Sequence, residues 1–194
     1  MVLQAATGRA LSDVAATLTH GQLEHVFAQV GAALAAIHSI RVDGFGQRQA
    51  EKCWQFADWD SYVQAMLRDR AADVPALLQA GLARSEVVTL VQLLAQLSLL
   101  GCTEPALCHG DLGMDHLFVD DQLKLTGVID FGLLQAGPPV LDFAVLLLYH
   151  PEVNLVWLQR GYQNTAIFDE AFTRQLLFYQ ANVAMGYLAA DTRE

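Results

Sequence analysis

Charge is what this sequence has least of. Only 16% of its 194 residues are Asp, Glu, Lys or Arg, while 54% are hydrophobic; soluble domains usually carry about 25% charged residues. Lysine is scarcest, with Lys52 and Lys124 alone in the chain. Eleven basic against 21 acidic residues leave a formal net charge of −10. That balance argues against nucleic acid or an anionic membrane surface as the main partner, because both need clustered Lys and Arg. It suits a cationic small molecule, although solvated helix faces account for it equally well.

Other scarcities narrow the class further. Cys53, Cys102 and Cys108 are an odd number without metal-type spacing, so no disulfide framework is expected and a reducing cytoplasm is the default. The longest uncharged apolar stretch, Val87 to Thr103, is 17 residues long and carries Gln92, Gln96 and Ser98. That pattern fits a buried helix better than a membrane span. Met1 to Leu11 lacks the basic start and apolar run of a signal peptide. Nothing repeats. The length suffices for one domain with a real core.

What is present reads mostly as helix. Ser12 and Asp13 predict a capped short helix through His20, and Val26, Val30, Ala33, Leu34 and Ile37 recur at helical spacing in a stronger one. Gly44 and Gly46 break that pattern, and Trp54 and Trp59 flank a loop. A helix is expected from about Asp60 to Asp69, with Pro75 then opening a long helix or helix pair reaching Leu100. After Pro105 the texture changes. Ala106–Cys108 and Leu117–Val119 are short apolar runs, Asp120 to Gln122 is a turn, and Leu123 to Ile129 alternates, which is a hairpin signal. Helices return at Leu141–Tyr149, Asn154–Tyr162 and Phe168–Ala190. The expected fold class is α+β, mostly helical, with one small central β-hairpin.

The informative polar residues sit in that β element: His109-Gly110-Asp111, Asp115-His116, and Asp130-Phe131-Gly132. If the hairpin turns near Asp121, position 116 pairs at about 127 and Asp130 returns beside the 111–116 loop. Asp111, His116 and Asp130 then converge at one end of a two-stranded ribbon, and acidic groups buried there ask for a cation. Phosphoryl transfer needs such a set: one carboxylate for the nucleophile's proton, a second side chain and a further carboxylate for metal. Protein kinases space His-x-Asp and Asn by five residues and follow with Asp-Phe-Gly; the step from Asp111 to His116 is also five.

The run from Cys108 to Leu117, with Thr126 to Gly132, resembles the aminoglycoside phosphotransferase family, which has a protein-kinase-like fold. The Asp115-His116 pair, where most members carry Gly-Asn, is similar to the gentamicin-modifying subgroup. Pro138 to Ala144 stands where the family has Asp-Pro-x-x-Asp-Leu-Ala, Ala35 to His38 resembles a Leu-x-x-Leu-His helix end, and Thr7 to Leu11 resembles the stretch after the interlobe hinge. The resemblance implies a kinase: Asp111 the catalytic base, His116 and Asp130 the ligands of Mg2+ or Mn2+, and ATP or GTP the co-substrate. It implies support from His109, bracing the loop, and Asp142, bonding its backbone. The phosphoryl acceptor would be a hydroxyl of a small molecule, aminoglycoside-like or another metabolite.

Departures matter too. His116 offers an imidazole, softer than magnesium prefers. Leu133 and Pro138 replace acidic residues common in the family, and neither lysine stands on a strand that could grip phosphates. No G-x-G-x-x-G occurs. The expectation is therefore the C-terminal lobe of the kinase-like fold without an N-terminal β lobe. Within it, 1–11 is read as a hinge remnant, 12–104 as a helical subdomain, 105–136 as catalytic loop and hairpin, and 137–194 as C-terminal helices. An uncovered lobe predicts a covering contact, by self-association or by an N-lobe partner.

Two other readings stand beside the kinase. One is a non-catalytic kinase relative kept for binding or assembly. The other is a metallohydrolase using His109, Asp111, Asp115 and His116, disfavoured because Asp115 and His116, adjacent on a strand, would face opposite ways. His38 reads as a satisfied core histidine, Cys108 as a small buried strand residue, and Trp54, Trp59 and Tyr62 as packing residues. His20, His25 and His150 receive no role.

Overall fold

Thr19 opens the first long helix, and Ser12 lies inside a short helix that ends well before His20 rather than capping it. The computed structural model describes residues 6–50 and 53–193. Lys52 and the first five residues of the hinge segment lie outside them. Strand β1 (Arg9–Ala10) leads into the four-residue helix α1 (Leu11–Val14) and a 3-10 turn, and the chain then extends at Leu18. Thr19 and Gln22 form a reciprocal capping box that opens α2 (His20–His38). Two orphan N–H groups are satisfied there, which Ser12 cannot match. The buried face of α2 carries Val26, Phe27, Val30 and Leu34.

The segment expected as a loop is a hairpin. Strand β2 (Phe45–Ala50) pairs antiparallel with β3 (Cys53–Phe56), and Trp54 lies on β3. Asp58, which accepts from the Ser61 N–H at 2.8 Å, then caps α3 (Trp59–Gln79). Pro75 lies inside this helix rather than at a helix start. It removes one backbone donor, while burial of Met66, Ala76 and Leu77 holds the flanking turns. Gly81 (φ +101) supplies the stop, with Leu82 N–H donating back to Leu77 O at 3.2 Å. Helix α4 (Arg84–Ala95) follows, shorter than the run to Leu100 because Gln96–Leu99 tighten into a 3-10 turn.

Four short strands frame the middle of the chain: β4 (Ala106–Cys108), β5 (Leu117–Val119), β6 (Leu125–Val128) and β7 (Gln135–Gly137). They build two antiparallel sheets, ordered β1-β5-β6 and β3-β2-β7-β4. The expected β5–β6 hairpin is present with its register moved by two residues. Leu117 pairs with Val128, so His116 stands opposite Ile129 rather than 127. Next to the turn, at Val119–Leu125, the shift is one residue: Asp120 Oδ1 accepts from the N–H groups of Gln122 and Lys124, and Leu123 takes a left-handed conformation. An irregularity between Phe118 and Val119 adds the second residue, so the expected faces are kept only beyond it, at Phe118 and Leu117.

Three helices close the fold: α5 (Val140–Tyr149), α6 (Leu155–Gly161) and α7 (Glu170–Asp191). Val140 to Leu146 are all buried, so α5 is the central helix of the lobe. No helix among the described residues is long and apolar enough to cross a membrane. Helices α2 and α6 touch backbone to backbone. A Cβ on Gly161 would overlap the Ala28 carbonyl, and one on Gly31 the Leu158 carbonyl. Overpacking at such a contact costs about 1–3 kcal/mol. Urea unfolding should therefore show Gly31→Ala and Gly161→Ala each destabilised by about that amount. Gly21→Ala, in open space on α2, should be neutral or stabilised by up to about 1 kcal/mol. Equal midpoints for all three variants would contradict this packing.

Candidate active site

The loop between β4 and β5 takes its shape from a buried carboxylate. Asp142, on α5 and fully buried, accepts from His109 N–H (2.8 Å) and Gly110 N–H (2.8 Å). Its Oδ2 also meets His38 Nε2 at 3.0 Å, and His38 Nδ1 meets the Tyr162 hydroxyl at 2.8 Å. A carboxylate only accepts, so Nε2 of His38 donates to Asp142, and Nδ1 shares a hydrogen bond with the Tyr162 hydroxyl. Gly110 has φ +87, and a Cβ there would overlap the Leu133 carbonyl. Only glycine fits this step of the loop.

The two histidines of the loop have opposite availabilities. His109, fully buried, faces the Ile129 carbonyl with Nε2 (2.7 Å) and the Asp111 N–H with Nδ1 (3.4 Å), so both ring nitrogens are engaged. Phe131 packs against its ring at 4.6 Å between centroids. His116 sits in a 3-10 turn (Met114–His116), and its Nδ1 lies 2.8 Å from the Asp111 carbonyl. That carbonyl can only accept, so Nδ1 holds a proton and Nε2 is the nitrogen turned toward the neighbouring carboxylates. Two carboxylates flank Nε2: Asp115 at 3.4 Å and Asp130 at 3.8 Å. Asp130 holds its position in a left-handed conformation (φ 59), with Oδ1 accepting from Gly132 N–H at 3.2 Å. Aspartate is one of the few residues that tolerates this backbone.

His116 and Asp130 thus meet, and the Asp111 carboxylate turns to two phenols in the cleft it shares with His116. Its Oδ1 faces the hydroxyls of Tyr187 (3.3 Å) and Tyr149 (3.5 Å). Burial above all pushes both phenols above their ordinary pKa, helped at Tyr149 by Tyr187 and then Asp111 and at Tyr187 by the Asp111 charge, so each is a protonated donor at neutral pH. Asp111, Gly113, Asp115, His116, Tyr149 and His150 line one cleft of about 320 Å³. His150 accepts from Met114 N–H at 3.0 Å and pins the 3-10 turn from the end of α5. A larger cavity of about 590 Å³ lies elsewhere, lined by His38 and Tyr162 among others, and reaches none of Asp111, His116 and Asp130.

The metallohydrolase reading fails, for a different reason from the one expected. Asp115 and His116 are on a turn, not a strand, and their side chains do approach. It is His109 that has no free nitrogen. The buried trio His38, Cys108 and Asp142 brings potential ligand atoms within 4.8 Å of one another. Both nitrogens and both oxygens there are already bonded, and burial pushes the Cys108 thiol well up, so it is a structural network. Sequence reasoning missed Tyr149, Tyr187 and His150. Tyr149 had a signal: it lies seven residues, two helical turns, beyond Asp142 and so shares its face. Tyr187, from the distant α7, had none.

This combination of a helical lobe, a β-hairpin and a loop braced by a helix carboxylate is the C-terminal lobe of a protein-kinase-like fold. The sequence profile described as the phosphotransferase enzyme family matches residues 1–179, and the chain belongs to that family, whose solved members include aminoglycoside phosphotransferases. No curated protein matches the chain by sequence. Among solved structures, a thermostable mutant of aminoglycoside phosphotransferase APH(4)-Ia in its apo form is similar at 22% identity and TM-score 0.68, covering 97% of this chain and 64% of that one. Its ternary complex with AMP-PNP and hygromycin B gives 22% identity and TM-score 0.67, covering 96% and 62%. The GDP complex of wild-type aminoglycoside 2'-phosphotransferase-IIIa gives 17% identity and TM-score 0.67, covering 97% and 62%. The chain therefore spans somewhat under two thirds of the length of these relatives.

Replacing Asp142 by Ala would leave two buried loop N–H groups and His38 without their acceptor. Breaking a buried charged network in this way costs about 3–5 kcal/mol. The urea midpoint of Asp142→Ala should fall accordingly at unchanged m-value. A loss below about 1 kcal/mol, the scale of a single ordinary hydrogen bond, would show that the loop is held by something else.

Proposed function

We propose that the chain is the catalytic lobe of a small-molecule kinase, transferring the γ-phosphoryl group of ATP or GTP to a hydroxyl. The observation that carries this reading is the orientation of His116. Its Nδ1 is committed to the Asp111 carbonyl, which leaves Nε2 beside the Asp130 carboxylate. An oriented imidazole with a carboxylate at its free nitrogen is the arrangement of a metal ligand held by an outer partner. The family membership and the nucleotide-bound relatives support the same reading.

In this reading His116 and Asp130 hold a divalent cation, with Asp115 adding charge nearby. The mixed imidazole–carboxylate set suits Mn2+ at least as well as Mg2+. When bound, the ion neutralises charge on the nucleotide's phosphates. Asp111 is the base, its carboxylate accepting the proton of the attacking hydroxyl. Tyr149 and Tyr187 face Asp111 Oδ1, and the carboxylate's further lone pairs can take the acceptor's hydroxyl beside them. Asp142 and His109 act on the chemistry only by shaping the loop. The relative solved with hygromycin B supports an aminoglycoside-like acceptor class.

The roles separate by mutation. Asp111→Asn should lower phosphoryl transfer by roughly 10²–10⁴-fold, the usual worth of a positioned base, while nucleotide affinity changes little. Asp130→Ala should abolish metal-dependent nucleotide binding. Isothermal calorimetry with AMP-PNP and Mg2+ or Mn2+, beside a phosphate-transfer assay, is the check. Equal loss of both properties in both variants would show the roles misassigned. No nucleotide binding to the unmutated chain would favour a binding or assembly role instead.

A further inference from the structure

Helices α3 and α7, far apart in sequence, are tied together by a small set of charges. Asp73 on α3 is only 5% exposed, and two arginines meet its carboxylate. Arg70, one turn earlier, reaches Oδ2 at 3.0 Å, and Arg193, just beyond the end of α7, reaches Oδ1. The other terminal nitrogen of Arg70 donates to the Asn182 carbonyl of α7 at 2.9 Å. In an α-helix that carbonyl also takes the N–H four residues on, which is that of Gly186. Gly186 has no side chain, and a Cβ there would overlap the Arg70 guanidinium. Arg70 therefore lies against the turn from Asn182 to Gly186. The next residue is Tyr187, whose hydroxyl meets Asp111 Oδ1 at 3.3 Å.

We propose that Arg70 is a positioning residue for the candidate base: it fixes the height and rotation of α7, and α7 then delivers Tyr187 to Asp111. Apolar packing alone does not set that position. Phe172, Phe178, Met185 and Ala189 are buried along α7, but such burial is non-directional. A slide of one residue along the helix axis, about 1.5 Å, is enough to break the 3.3 Å contact of Tyr187. The Arg70 contact is directional. Its planar fork meets Asp73 with one nitrogen and the α7 backbone with the other. A buried ion pair is weak evidence for stability, and setting register is its best-attested use. Asp73 keeps the fork aimed, and Arg193 anchors the end of α7 on the same carboxylate. The significance for catalysis rests on the phosphotransferase reading; the coupling of Arg70 to Tyr187 and Asp111 does not.

Fluorine NMR of the chain labelled with 3-fluorotyrosine reads this coupling, the Tyr187 and Tyr149 signals being assigned by their loss in Tyr187→Phe and Tyr149→Phe. With Arg70 in place, Asp111→Asn should shift both signals, because both phenols face that carboxylate. In Arg70→Met the Tyr187 response to Asp111→Asn should vanish, while the Tyr149 response, from α5, persists. Should Arg70→Met not fold, Gly186→Ala displaces the guanidinium instead and carries the same expectation. Absence of a Tyr187 response with Arg70 in place, or its survival in the folded variant, overturns the inference. Loss of both responses together overturns it too, since that is general loosening rather than a displaced α7. In a phosphate-transfer assay the folded variant should lose up to about 100-fold in turnover, the cost of a small misplacement, at unchanged nucleotide affinity; undiminished turnover would overturn the positioning role. No transfer by the unmutated chain would count against the phosphotransferase reading and leave the fluorine result to decide the inference.

Discussion

One buried carboxylate sets the geometry on which the rest of this lobe depends. Asp142 is fully removed from solvent on the central helix and accepts from two successive loop N–H groups and from His38. Taking a charge out of water costs several kcal/mol, offset here by three charge-assisted bonds of about 1.5–3 kcal/mol each. The consequence is geometric. With the N–H groups of His109 and Gly110 pinned, the chain must turn at Gly110, the only residue type that fits beside Leu133. The Asp111 carbonyl then points at the His116 ring.

That carbonyl passes the constraint outward. It fixes the His116 ring through Nδ1 and leaves Nε2 beside Asp130. The Asp130 backbone is held from its own side, by the left-handed turn and the Gly132 N–H. His109 ties the two arms together through the Ile129 carbonyl. The Asp111 carboxylate is meanwhile restrained by phenols from α5 and α7. A buried network on one side of the loop thereby arranges exposed chemistry on the other, and the larger cavity around His38 and Tyr162 touches that network from behind.

The sequence made some of this legible and hid the rest for identifiable reasons. The β5–β6 hairpin could be read because Asp120 and Asp121 break two apolar runs. Its register was misjudged because the turn is built by an Asp120 side chain rather than centred on Asp121. The β2–β3 hairpin was missed because Gly44, Gly46, Gln47 and Arg48 show no apolar alternation; β2 is held by pairing with β7, a tertiary contact. Pro75 reads as a helix start until the packing of Ala76 and Leu77 is known. In the candidate site, spacing along the chain exposed Asp111, His116 and Asp130, since all three belong to one short segment. Tyr187 reaches the loop from the remote helix α7, and no local pattern announces that.

The account turns on a single atom, Nε2 of His116, positioned with Asp130 to bind a cation. Crystals of the chain soaked in Mn2+ and examined at the manganese absorption edge test this most directly. The account predicts an anomalous peak within coordination distance of both His116 Nε2 and an Asp130 carboxylate oxygen, absent from Asp130→Ala crystals. Manganese bound elsewhere, with His116 protonated and simply ion-paired to Asp115 and Asp130, would contradict it.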